Sequence, residues 1–158
     1  PEGWKVFLLG FCEGHDIEEC RSLLQRLQFS PKQEQAFIGM VENVRTARRE
    51  LSTWSKGEQR LSDLYFLLSG LSIETELYLM ATGRTEWIRK QLSHYLSLLK
   101  NTRVDISGED LKAMGLTPGP AYSRIFQKVL RAKLDEEVRD RQAQLNLARE
   151  LIQKEEGQ

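Results

Sequence analysis

The sequence predicts an all-α chain: a multi-helical right- or left-turning array of about seven to nine helices that ends in a helix–loop–helix. Three observations carry this. Apolar residues recur at helical spacing almost throughout, and no stretch of useful length alternates with period two. Cap residues, Asp16, Ser30, Thr85 and Ser107, stand directly before the apolar-periodic runs. Four prolines and eleven glycines in 158 residues leave few breaks, so long helices are expected. The 40% hydrophobic and 29% charged content fits a soluble globular chain, long enough for one domain or for two small helical subdomains sharing a core.

Trp4, Val6, Phe7, Leu8, Leu9 and Phe11 predict a first helix buried on most sides and ending near Gly14. Asp16 caps a second, with Ile17, Cys20, Leu23, Leu24 and Leu27 on its apolar side and Glu18 and Glu19 in the first turn, where the helix dipole favours them. Ser30-Pro31-Lys32-Gln33 is a capping box with proline at the first helical position. It opens a long helix to about Ser52, on which Arg45, Arg48 and Arg49 are expected as a solvated face beside Glu42 and Glu50. A turn follows at Trp54–Gly57, then helices over Leu61–Leu71 and Glu74–Met80. Thr85 caps the next, with Trp87, Ile88, Leu92, Tyr95, Leu96 and Leu99 inward, Arg89 and Lys90 outward, and Lys100 and Arg103 at its C-terminal end. The tail, Val138–Lys154, places Leu145, Ala148, Leu151 and Ile152 on one stripe, and Glu155–Gln158 should fray. This reads as a helical body-like region over 1–83 and a tail-like region over 84–158, one continuous unit being the alternative. Starting at Pro1 without methionine, the chain is expected to be a piece of a longer one, although removal of an initiator methionine would look the same.

Residues 105–134 hold the most specific pattern. Ser107 and Asp110 form a capping box, and Gly115 supplies the left-handed residue that stops a short helix. Pro118, Gly119 and Pro120 open a second one, on which Tyr122, Ile125, Phe126, Val129, Leu130 and Leu134 share a face opposite Arg124, Lys128 and Arg131. Amides at a helix start followed by cations one and two turns along suit a phosphate; Gly119 would let another backbone come close. A helical hairpin with an ordinary solvated basic face is the alternative. Charge is uneven: the chain is formally neutral, yet residues 84–133, which include Lys100, Arg103 and Lys112, carry ten basic and four acidic side chains. For binding a polyanion, such a local patch matters more than the overall charge.

Several function classes are excluded. No apolar run of about 18 residues predicts a membrane span, and no signal peptide is evident. Cys12, His15 and Cys20 lack a fourth zinc ligand, and the two cysteines read as core or half-buried thiols of a reducing compartment. There is no phosphate-binding loop, dinucleotide fingerprint or nucleophile triad. Asp105, Glu109, Asp110 and Asp135 read as caps and loop acids rather than a metal pair, and His94 as a packed residue, so no catalytic or metal-ligating residue is predicted.

The string Ile106-Ser107-Gly108, Asp110-Leu111, Met114-Gly115-Leu116, Pro118-Gly119-Pro120, Tyr122 and Ile125 resembles the C-terminal signature of bacterial tRNA nucleotidyltransferases, the class II-like CCA-adding and A-adding enzymes and their poly(A) polymerase relatives. The likeness continues through Leu130 and Ala132-Lys133-Leu134-Asp135, and upstream in Leu61-Ser62-Asp63-Leu64-Tyr65 with Leu68 and in Glu76-Leu77-Tyr78-Leu79, so it covers residues 61–138. Two positions depart: Ser123 and Glu136 stand where the family often has glycine, the second expected to let the helix run on. The resemblance implies a cytoplasmic body and tail that grip tRNA through Lys100, Arg103, Lys112, Gly115, Gly119, Arg124, Lys128 and Arg131. The piece would be inactive alone and hold no cofactor, while an absent head domain uses Mg2+ with ATP or CTP. A free-standing helix-hairpin-helix-like binder of duplex DNA, or a helical scaffold that binds protein through exposed aromatics, are the alternatives.

Overall fold

A computed structural model describes residues 2–54 and 60–156, the last two by backbone only. Among these, nine α-helices and no strand are found: α1 (Gly3–Glu13), α2 (Ile17–Arg26), α3 (Pro31–Thr53), α4 (Leu61–Leu68), α5 (Ile73–Ala81), α6 (Glu86–His94), α7 (Gly108–Ala113), α8 (Pro120–Leu134) and α9 (Arg141–Glu156). The caps read from the sequence form. Asp16 with Glu19, Ser30 with Gln33 and Ser107 with Asp110 make reciprocal capping boxes, and Thr85 accepts the Ile88 N–H. None of the described helices is long and apolar enough to cross a membrane. The turn expected over Trp54–Gly57 lies, beyond Trp54, outside the described residues.

The chain forms two compact units, residues 1–59 with 64–97, and residues 60–63 with 98–158. In the first, α3 is central: its face of Phe37, Val41, Val44, Ala47 and Leu51 is buried, and α1, α2 and α5 pack on it. Cys12 and Cys20 are fully buried free thiols, the Cys20 Sγ donating to the Cys12 carbonyl at 3.1 Å. Burial first, then the neighbouring Cys20, pushes the Cys12 thiol up to about 12, so it stays protonated and unreactive.

Four expectations are corrected. On α1 only Leu9 and Cys12 are buried, while Trp4, Phe7 and Phe11 are exposed, because among the described residues α3 and α5 cover one side of the helix. Arg45 and Arg48 are half-buried rather than solvated. Arg45 donates to the carbonyls of Cys12, Glu13 and His15, closing the C-terminal end of α1, where cations are favoured. Arg48 bonds Thr82 at 2.6 Å and lies over the Tyr78 ring, its Nε 2.6 Å from Glu13 but outside hydrogen-bond alignment. Tyr78 in turn donates to Glu13 at 2.6 Å, and burial, then Glu13, pushes its hydroxyl up to about 12.

The third correction concerns α6, which ends at His94 and continues as a π-helical segment, Tyr95–Leu99, rather than as one regular helix. Tyr95 is buried there and donates to the buried Glu76, a polar anchor that the apolar pattern alone did not show. The fourth is the tail: the helix starts at Arg141, not Val138, because Asp140 accepts the Ala143 N–H at 2.8 Å as its cap. Val138 is buried just before it, and the helix runs through Glu156, with Gly157 and Gln158 outside the described residues.

Candidate nucleic-acid interface

The second unit is built on one apolar cluster. Ile106, Leu111, Ile125, Val129, Leu145, Ala148 and Ile152 are buried together, with Met114, Leu116, Tyr122 and Phe126 packed against them. These are largely the apolar positions of the string from Ile106 to Ile125, so most of that string shapes the helix–loop–helix rather than facing outward. Tyr122 shows how: its hydroxyl donates to the Leu116 carbonyl at 3.1 Å, and its ring lies against Gly108, where an added Cβ would sit 3.4 Å from the ring edge.

Between α7 and α8, Gly115 takes φ 94°, and the amides of Gly115 and Leu116 return to the carbonyls of Lys112 and Leu111. This is the paired closure of a Schellman turn, with Leu116 folding back onto the Leu111 cluster. Pro120 occupies the first turn of α8, and Gly119 is extended, φ 169°. Among the described residues a Cβ on Gly119 would meet only the Thr117 oxygen at 3.9 Å, so none of them requires glycine there. The Tyr122 amide bonds the Gly119 carbonyl at 3.0 Å.

The predicted cationic side chains are placed as follows. Arg124, Lys128 and Arg131 project from the exposed side of α8, opposite buried Ile125, Val129 and Ala132. Lys112 is exposed in the last turn of α7, and Lys100 is half-buried. Arg103 curls onto the carbonyls of Lys100 and Thr102, at 3.2 and 2.9 Å. Arg131 is engaged by Asp63 at 2.9 Å. With Lys128 it borders a cleft of about 200 Å³ whose walls include Arg60, Ser62, Asp135 and Leu151.

Asp135 is the residue that sequence reasoning undervalued. Its two carboxylate oxygens accept the Ser62 amide at 2.9 Å and the Ser62 hydroxyl at 2.8 Å, so it caps the start of α4 from 73 positions away. A local pattern gives no signal for such a cap. The following residue corrects another expectation: α8 does not run on through Glu136, which adopts φ 58°. The Glu136 and Glu137 amides return to Lys133 and Ala132, closing the helix with a second Schellman turn in which glutamate holds the left-handed position.

Asp105 and Asp110 are likewise committed. Asp105 accepts from Lys133 at 2.7 Å and from fully buried Gln144 at 2.6 Å, and those bonds, Lys133 first, hold its carboxyl below the ordinary range. Asp110 is lowered chiefly by the Ser107 amide and bonds Arg141 at 2.6 Å. Lys133 entered the sequence reading only as part of the family-like string, and Arg141 and Gln144 did not enter it, because their partners are remote along the chain. Among the described residues no three His, Cys, Asp or Glu side chains gather as a metal-binding group.

No protein-family model matches the chain, and no solved structure does. Over 156 residues it is 33% identical to the A-adding tRNA nucleotidyltransferase of Geobacter sulfurreducens, a match that takes in 93% of this chain. The chain spans 17% of that relative's length.

Proposed function

We propose that this chain, similar along nearly its whole length to part of a tRNA nucleotidyltransferase, is an RNA-binding region of such an enzyme. Its α8 row would track the phosphate backbone of tRNA while a head domain outside the chain adds 3′-terminal nucleotides. The 33% identity to an A-adding tRNA nucleotidyltransferase carries this reading, and the exposed cations opposite buried Ile125, Val129 and Ala132 support it. A body-like part over 1–83 and a tail-like part over 84–158 belong to the same proposal, as does a cytoplasmic setting.

Nucleotide addition by such enzymes calls for Mg2+ held on paired carboxylates. Asp105, Asp110 and Asp135 do not fit that task, since they are spent on Lys133 and Gln144, on a capping box, and on the Ser62 cap. No step of nucleotide transfer is therefore assigned to this chain, and the piece alone is proposed to be inactive.

Arg124 and Lys128, exposed one turn apart on α8, are the residues to test. Arg124→Ala with Lys128→Ala should weaken tRNA binding by about tenfold or more at low salt, with the melting temperature nearly unchanged, since exposed substitutions typically cost within about 0.5 kcal/mol each. The wild-type log–log salt slope should be roughly −0.7 to −0.9 per phosphate contacted, and shallower in the variant. Unchanged affinity, or equal affinity for duplex DNA of the same length, would sink the proposal.

A further inference from the structure

The first unit carries a basic site of its own, at the loop of Thr82, Gly83, Arg84 and Thr85 that joins α5 to α6. Two arginines hold this loop. From α3, Arg48 donates to the Thr82 hydroxyl at 2.6 Å, and that hydroxyl donates in turn to the Tyr78 carbonyl at 2.7 Å. From α6, Arg89 donates through one Nη to the Gly83 carbonyl at 2.9 Å. Its stem lies so near that a Cβ on Gly83 would stand 2.8 Å from the Arg89 Cγ. Glycine therefore lets the Arg89 stem lie against the loop, and the bond to the carbonyl keeps its guanidinium there.

Arg84 is exposed within the same loop. With Arg48, Thr82 and Gly83 it borders one shallow hollow, so these side chains share a patch of surface. Among the described residues Arg84 makes no hydrogen bond and no ion pair. The carboxylates beside this patch are matched by other partners: Glu13 meets Arg48 and Tyr78, each at 2.6 Å, and Glu86 pairs with Lys90 at 3.0 Å. No described carboxylate is bonded to Arg84 or Arg89. The charge lies in side chains rather than in the start of α6, where the Thr85 hydroxyl accepts the Ile88 amide. A guanidinium presents a planar fork of donors that matches a phosphate, and one already held against the backbone loses less freedom on binding. Cations gathered without bonded acids attract a polyanion.

We propose that Arg84 and Arg89 form a second phosphate contact, on the first unit, for the RNA backbone. Arg89 supplies donors fixed against the loop, and Arg84 a side chain with no competing partner among the described residues. The choice of ligand rests on the RNA-binding reading; the geometry comes from the first unit alone.

The test titrates tRNA against the wild-type chain and against Arg84→Ala, Arg84→Glu and Arg84→Lys. Arg84→Ala should weaken binding by about threefold to tenfold at low salt and make the log–log salt slope shallower by roughly 0.7 to 0.9, the loss of one phosphate contact. Arg84→Glu should weaken it further, and Arg84→Lys should keep most of the slope because it keeps the charge. All three melting temperatures should stay within about 1 °C of wild type, since Arg84 is exposed and bonds nothing that holds the fold. Unchanged affinity and slope in Arg84→Glu would overturn the proposal, and so would phenylglyoxal modification of Arg84 that saturating tRNA does not slow. The double variant Arg124→Ala, Lys128→Ala separates this site from the α8 row: Arg84→Glu should lower the affinity that remains in it. Binding weakened by Arg84→Glu and untouched by the α8 substitutions would overturn the α8 assignment and uphold this one, and the reverse result would do the opposite. Absence of any tRNA binding would overturn both.

Discussion

The turns that end α7 and α8 have the same backbone and opposite chemistry. After α7, the residues Met114, Gly115 and Leu116 close the helix with glycine in the left-handed position, and Met114 and Leu116 both pack onto the core. After α8, the residues Asp135, Glu136 and Glu137 close it through the same pair of hydrogen bonds, with a glutamate left-handed. Here the flanking side chains make polar contacts: Asp135 with Ser62, and Glu137 with Arg60 at 3.1 Å. The end of α2 repeats the pattern with Gln28 at φ 61° and the amides of Gln28 and Phe29 bonded to Gln25 and Leu24. The hydrogen bonds of the motif thus impose the left-handed residue, and glycine only lowers its cost.

The largest change should come from the polar turn. Asp135→Ala removes the acceptor of a backbone amide and a hydroxyl on Ser62, which is itself fully buried. A loss of about 2 kcal/mol is expected, which calorimetry should read as a drop of several degrees. A shift below one degree would mean that water replaces the carboxylate and that the two turns are not polar and apolar versions of one device.

Exchanging the left-handed residues sharpens the comparison at the next level. Gly115→Ala should cost about 1 kcal/mol from backbone strain alone, since a Cβ there meets nothing within 4 Å. Glu136→Gly should stabilise by about 0.5 kcal/mol, and its exposed contact with Arg139 at 3.2 Å subtracts little. Urea unfolding of the two variants should move in opposite directions; movement in the same direction would break the equivalence of the turns.

The smallest effect is that of acid on the segments before α7 and at its start. Asp105 and Asp110 have folded values below the ordinary 3.8. Their stabilising contribution is therefore present above the unfolded value and lost as pH falls through the lowered folded values. Thermal stability should decline below about pH 4, and Asp105→Asn should flatten that decline. An unchanged acid profile in the variant would assign the decline to other carboxylates, among them Glu74, which the Glu2 amide lowers.

Legibility followed the range of each interaction. The Ser107–Asp110 box, Gly115 and the stripe from Tyr122 to Leu134 were readable because partners within one or two helical turns are set by chain geometry. The exposed row of Arg124 and Lys128 was readable for the same reason, as the complement of that stripe. The engagement of Arg131 by Asp63, of Lys133 by Asp105 and of Arg45 by three carbonyls was not, since each partner lies 28 to 68 positions away and no period marks it. The face of α1 misled for the converse reason: apolar periodicity states which residues can be buried, not whether a neighbour is present to bury them.

By itself, then, the sequence determined the helical class, the local capping boxes and the core side of most helices, because propensity, capping and periodicity act between residues near one another in the chain. Only the tertiary structure decided which carboxylates became caps for distant segments, which arginines were drawn in from solvent, and which aromatic face was left outside. Those outcomes depend on where helices far apart in sequence come to lie, and burial and charge pairing respond to that proximity alone.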